Sequence, residues 1–215
     1  MAKNQSAFTL VELLVVIAII AGLAMAGFAG ASQIVGKTKA TKSLSNLRQI
    51  GLAALTYAGE HNGQLPQSSH QKTLPGQSTR VWTKVLKDYN ISSAMFISPL
   101  DETGRFLSYA INDFVTEHPY GAETLDYSRI QSHSTPSQTL YVGILNSSQQ
   151  NSDHFHFAEG GFAPSSFEQE VWVEITDKAS HYLFVDGHVE VLRWNTLKSL
   201  LTRPGSTFIR PDGNN

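Results

Sequence analysis

Apolar and polar positions divide the chain into stretches of different period. From Leu13 to Gly36 there are 24 residues without a charge. About 20 apolar residues span the hydrocarbon core of a bilayer as a helix, the one open-ended element that satisfies its own backbone there. Behind this run, Leu44, Leu47, Gly51, Ala54, Leu55 and Ala58 recur at helical spacing, flanked by Ile50 and Tyr57. Lys42, Ser45, Arg48 and Gln49 take the other side. No proline interrupts the chain from Phe8 to Leu65. The pattern predicts a single helix from about Phe8 to Glu60, roughly 80 Å long. Its first half is apolar all round; its second half has one apolar face for a head domain to cover.

The helix should stop at His61-Asn62-Gly63-Gln64-Leu65-Pro66, where Asn-Gly precedes a proline. Trp82, Val85, Leu86 and Tyr89 stand at i, i+3, i+4 and i+7, which predicts a short amphipathic helix. Strands are expected late, at Thr139–Leu145 and Val171–Ile175, with a long polar loop between them. Tyr182–Val191 then places Asp186-Gly187 between two apolar runs, a hairpin signal that points to a two-residue type I′ turn. That turn would pair Val185 with His188, Phe184 with Val189 and Tyr182 with Val191. Tyr182, Phe184, Val189 and Val191 would then lie on the helix. Pro204 to Asn215 reads as a loose tail.

Composition is that of one globular head plus one apolar segment: 215 residues, 41% hydrophobic, 10% aromatic, mean hydropathy −0.17. Charge is split. Residues 1–60 carry five basic and two acidic side chains, residues 61–215 eleven and sixteen. The acidic head argues against nucleic acid as the main partner. With no cysteine there is no disulfide and no thiolate metal site. His154, His156, His181 and His188, with Asp153 and Asp186, occur only as pairs and not as three or four convergent zinc ligands, so no metal is expected. No nucleophile elbow, HExxH or phosphate loop is present, and Asp101-Glu102, adjacent in sequence, suits a turn better than acid–base work. No catalytic residue and no enzyme activity are expected.

Glu12 stands at the front edge of the apolar run, behind Phe8, Leu10 and Val11. A charge inside the bilayer costs about 2.5–3.5 kcal/mol on insertion scales and is usually functional. At headgroup level beside a helix N-terminus, the same acid is simply favoured. Phe8-Thr9-Leu10-Val11-Glu12-Leu13-Leu14 resembles the cleavage and methylation motif of type IV pilins and type II secretion pseudopilins. The resemblance implies that Met1 to Ala7 is a leader charged by Lys3, cut between Ala7 and Phe8. It further implies that Phe8 is N-methylated and that Glu12 neutralises the amine of a neighbouring subunit. Ala7 stands where that family usually has glycine. Ser98-Pro99-Leu100-Asp101 with Ser108-Tyr109-Ala110-Ile111-Asn112 resembles a CPSD…SYxxN segment of one pilin-like subfamily, Ser98 replacing the cysteine. Residues 180–191 resemble a C-terminal DG box of the H-X9-DG pattern, though Thr176 holds the place of its histidine.

The chain is therefore expected to be α+β and pilin-like: a long N-terminal helix packed on a small antiparallel sheet. Residues 1–7 form the leader, 8–36 the membrane and assembly half of the helix, 37–60 its amphipathic half and 61–215 the head. The implied function is that of a structural subunit of a type II secretion pseudopilus or type IV pilus-like filament. Its implied partners are other pilin subunits, prepilin peptidase, an inner-membrane assembly platform and membrane lipid. The head would lie outside the cytoplasm, although Lys37, Lys39 and Lys42 behind the span point the other way on a positive-inside count. Some pseudopilins hold calcium, but no stretch here has the oxygen spacing of a calcium loop, and no cofactor is expected. The rivals are a secreted monomeric binding domain, with Ala29-Gly30-Ala31 serving as a signal-peptide cleavage site before Ser32, and a membrane-anchored monomeric binding domain that keeps the span as an uncleaved anchor.

Overall fold

The computed structural model describes residues 9–69, 81–117, 124–149, 152–155 and 163–213; within the first helix the side chains of residues 26–32 lie outside this description. The chain divides into two compact units, Met1–Lys39 and Ala40–Asn215. Helix α1 runs Leu10–Glu60. In the first unit it is bare: its large apolar side chains from Leu10 to Met25 are 46% to 79% exposed. Among the described residues no helix is long and apolar enough to cross a membrane, and the run expected to do so, Leu13–Gly36, includes residues 26–32. At its far end α1 stops where its sequence requires. Asn62 and Gly63 take positive φ (55° and 80°), and the Gly63 N–H donates to the Ala58 carbonyl at 2.7 Å.

The second unit is built on a five-stranded sheet in the order β3-β1-β2-β4-β5. Its strands are β1 (Tyr109–Asn112), β2 (Leu140–Ile144), β3 (His154–Phe155), β4 (Ala179–Phe184) and β5 (Val189–Arg193). It is mixed and not antiparallel, because β1 and β3 pair in parallel through Ile111–His154 and Asn112–Phe155. Strands begin at Tyr109, earlier than expected. Val171–Ile175 is not a strand; only a Leu145–Val171 bridge forms there. The predicted amphipathic helix is present as α2 (Trp82–Val85), continued by a 3₁₀ turn at Leu86–Tyr89. Two helices unmarked in the sequence pattern follow: α3 (Pro164–Glu170) and α4 (Trp194–Thr202).

Both faces of the sheet are covered, which explains why β4 reads as unbroken burial. On one face Leu47, Ile50, Ala54 and Ala58 of α1 meet Tyr109, Ile111, Val142, Leu183 and Val185. On the other, Tyr182 and Phe184 meet Phe167 of α3, Leu197 and Leu201 of α4, and Phe208. Residues 204–213 are therefore not a loose tail. Phe208 and Ile209 are buried, and their carbonyls accept from the Leu140 N–H and the Asn112 side-chain amide at 2.8 Å each.

The hairpin at Asp186-Gly187 forms with a different turn. The Gly187 N–H donates to the Phe184 carbonyl (2.9 Å) and the Phe184 N–H to the His188 carbonyl (3.0 Å), leaving the three-residue loop Val185-Asp186-Gly187. Only Gly187 has positive φ, 88°. This is a turn followed by a glycine bulge, so the register moves by one: Leu183 pairs with Val189 and His181 with Val191. A shift of one residue exchanges the faces. Leu183, Val185 and Val189, and not the expected Tyr182 and Phe184, lie on the α1 side.

Candidate functional site: the amino-terminal motif and the head

Ala7 and Phe8, the expected cleavage pair, lie outside the described residues. Thr9 and Glu12 are described, and they form a reciprocal cap. The first backbone N–H groups of a helix have no partner within it. Here the Glu12 carboxylate accepts from the Thr9 N–H and the Thr9 hydroxyl, both at 2.8 Å, and the Glu12 N–H donates to Thr9 Oγ1 at 3.3 Å. Thr-x-x-Glu is the capping-box signature, and it was legible in the sequence. What Glu12 lacks, among the described residues, is a cation. Among these residues its carboxylate is held by a threonine alone.

Residues 2–28 match the prokaryotic N-terminal methylation motif. That match supports a type IV pilin-like, prepilin-type protein, and it covers Ala7, Phe8 and Glu12. No curated protein and no solved structure matches the chain.

In the head, Asp186 and Gly187 serve the fold. Asp186 accepts from the His188 N–H (3.1 Å) and from His188 Nδ1 (2.5 Å), and the His188 ring stacks on Phe184 at 4.4 Å. Gly187 lies against α1. A Cβ added to it would come within 2.5 Å of Leu55 Cδ1, while one added to Gly51 would lie 2.7 Å from Leu183 Cδ1 and 3.2 Å from the Gly187 carbonyl. The hairpin and the helix thus approach through two glycines.

The histidines and acids weighed as ligands occupy separate places. His154 pairs with Asp153 (2.8 Å), whose carboxylate also takes the Ser69 N–H and hydroxyl at 2.8 and 2.6 Å. Burial pushes the Asp153 carboxyl up, but these donors outweigh it and hold it below the usual range. Burial likewise opposes the charge on His154, yet Asp153, Asp113 and Glu170 raise its pKa. His156 lies outside the described residues. Among the described residues, no three His, Cys, Asp or Glu side chains form a group that could hold a metal.

His181 sits in a buried polar cluster that the pattern reading missed. Its Nδ1 lies 3.1 Å from Ser43 Oγ, which is also 2.9 Å from the Tyr109 hydroxyl and accepts from Ser98 at 3.2 Å. Ser43, Ser98 and Tyr109 are fully buried and His181 is 2% exposed. Ser–His at this distance is nucleophile–base spacing, but with every member buried it is a packing network between α1, β1 and β4. Desolvation pulls His181 down to about 4, so it stays neutral there. Ser98 and Tyr109 belong to the two segments that resemble CPSD and SYxxN, and the fold brings them together beneath α1.

Proposed function

We propose that the protein is a structural subunit of a type II secretion pseudopilus or a type IV pilus-like filament. Prepilin peptidase would cut between Ala7 and Phe8 and leave Phe8 N-methylated. The 8–36 segment would hold the chain in the cytoplasmic membrane with its head outside, until an inner-membrane assembly platform recruits it. The observation that carries this reading is the bare apolar helix behind a matched methylation motif: its large apolar side chains from Leu10 to Met25 are 46% to 79% exposed. A surface apolar on all sides needs lipid first and neighbouring helices afterwards. Glu12, capped and meeting no cation among the described residues, would take the Phe8 amine of a neighbour. Pairing within a low-dielectric filament would satisfy both charges.

Intact-mass and N-terminal analysis of the mature protein tests this. The expected species lacks Met1 to Ala7 and carries one added methyl on Phe8. A chain starting at Ser32 would contradict the proposal and favour the secreted domain with an ordinary signal peptide.

A further inference from the structure

The head has an open groove of about 960 Å³ between the last turns of α1 and the 85–91 segment. Among the described residues its lining holds two carboxylates, Glu60 and Asp88, and no lysine or arginine. It also holds an aromatic wall. Tyr57 stacks on His61 at 3.9 Å and meets Tyr89 edge-on at 5.9 Å, and the Tyr89 hydroxyl donates to Glu60. Leu52, at the open side, is 67% exposed. Two features make a cation favourable here beyond the carboxylates themselves. Helix α1 ends in this groove with no lysine or arginine in its last turn, so no full positive charge offsets the negative end of its dipole there. The aromatic faces add a site that guanidinium suits better than ammonium, since Arg stacks on rings and pairs bidentately with carboxylate.

The same stretch of α1 supplies such a group. Within residues 40–60 the basic side chains are Lys42 and Arg48 and the single acid is Glu60, so one end of the segment is positive and the other negative. Arg48 is exposed. It stands twelve residues before Glu60, about 18 Å down the axis and about a third of a turn round it at 100° per residue. Gln49 and Leu52 line the groove but Arg48 does not, so the guanidinium stands outside the lining of its own groove, at the end away from Glu60. The protruding residue and the end of the groove that receives it are then distinct places, which a heterologous contact requires.

We propose that this groove receives Arg48 of a second copy of the chain, with the guanidinium between Glu60, Asp88 and the tyrosines and its aliphatic stem along Leu52. The assignment rests on the filament reading above and adds a head contact to the Glu12 contact at the membrane.

The chain has no cysteine, so the test uses carboxylate–amine coupling. Full-length Arg48→Lys protein is assembled in cells, sheared off, treated with a zero-length carbodiimide and digested for mass spectrometry. The expected product joins residue 48 to Glu60 and is found in the assembled fraction only. Within one chain α1 holds residues 48 and 60 about 18 Å apart, beyond such a linker. In parallel, Glu60→Lys, which suits a helix C-terminus and should fold normally, should lower the assembled fraction several-fold. Adding Arg48→Glu to it should restore assembly. Filaments in which residue 48 stays uncoupled, or in which Lys42 couples instead, would overturn the Arg48 assignment and leave the filament reading standing. So would a Glu60→Lys variant that assembles like wild type. Absence of any assembled wild-type protein would overturn the filament reading and this assignment with it.

Discussion

Burial sets the chemistry of His181. Its folded pKa, about 4, lies below the ordinary value of 6.5, because charging it would desolvate a cation beneath α1. Above pH 6.5 it is neutral folded and unfolded and has no effect on stability. As pH falls from 6.5 towards 4 the unfolded chain binds a proton that the folded chain refuses. Stability is therefore lost by at most about 1.4 kcal/mol per pH unit, and the loss levels off below 4. His154, with its pKa raised, works in the opposite direction over part of this range, so the comparison must be between variants. Thermal melts of detergent-solubilised wild type and His181→Asn should converge towards pH 5 relative to their separation at pH 7. Parallel curves would mean that His181 takes a proton in the fold. Gly187 makes a second residue-scale claim. Gly187→Ala should cost more than the roughly 1 kcal/mol of an entropy effect, because it meets both positive φ and Leu55. Combining it with Leu55→Ala should recover the steric part and leave the backbone part, as read from melting temperatures of the single and double variants.

Among the elements, α1 was legible because its periodicity is long and unbroken, and its end because Asn62 and Gly63 can take positive φ. The capping box at Thr9 was equally readable. Thr9→Val should cost about 0.5–2 kcal/mol of local helix stability, seen as faster amide exchange over residues 10–13 with the head unchanged. Unchanged exchange there would mean that the cap is idle. The strands were harder to read. Strand β1 is four residues buried on both faces, so Tyr-Ala-Ile-Asn shows no alternation, and β3 is two residues long. Helix α3 lies in polar sequence and buries one residue, Phe167. The hairpin shows a different limit. Asp-Gly marks the turn in sequence, but loop length decides the register and hence which face is buried, and that is fixed by Gly187 packing on α1. The buried cluster of Ser43, Ser98, Tyr109 and His181 draws on four distant segments, and no local pattern announces it.

For the whole molecule, the account holds that a bare apolar helix, with an acid at its start that meets no cation among the described residues, is completed only by other copies of the chain. Glu12 has two separable jobs in this view: it caps the helix with Thr9, and it offers a charge to a neighbour's Phe8 amine. The measurement that separates them is the protein recovered in sheared filaments from cells expressing wild type, Thr9→Val or Glu12→Ala at equal membrane levels. Thr9→Val removes the threonine hydroxyl and keeps the carboxylate, so it should assemble close to wild type. Glu12→Ala should insert, be cleaved and fold its head normally, yet fall at least tenfold in the filament fraction. If Glu12→Ala is recovered like wild type, Glu12 is only a helix cap, and a membrane-anchored monomer becomes the better description of the chain.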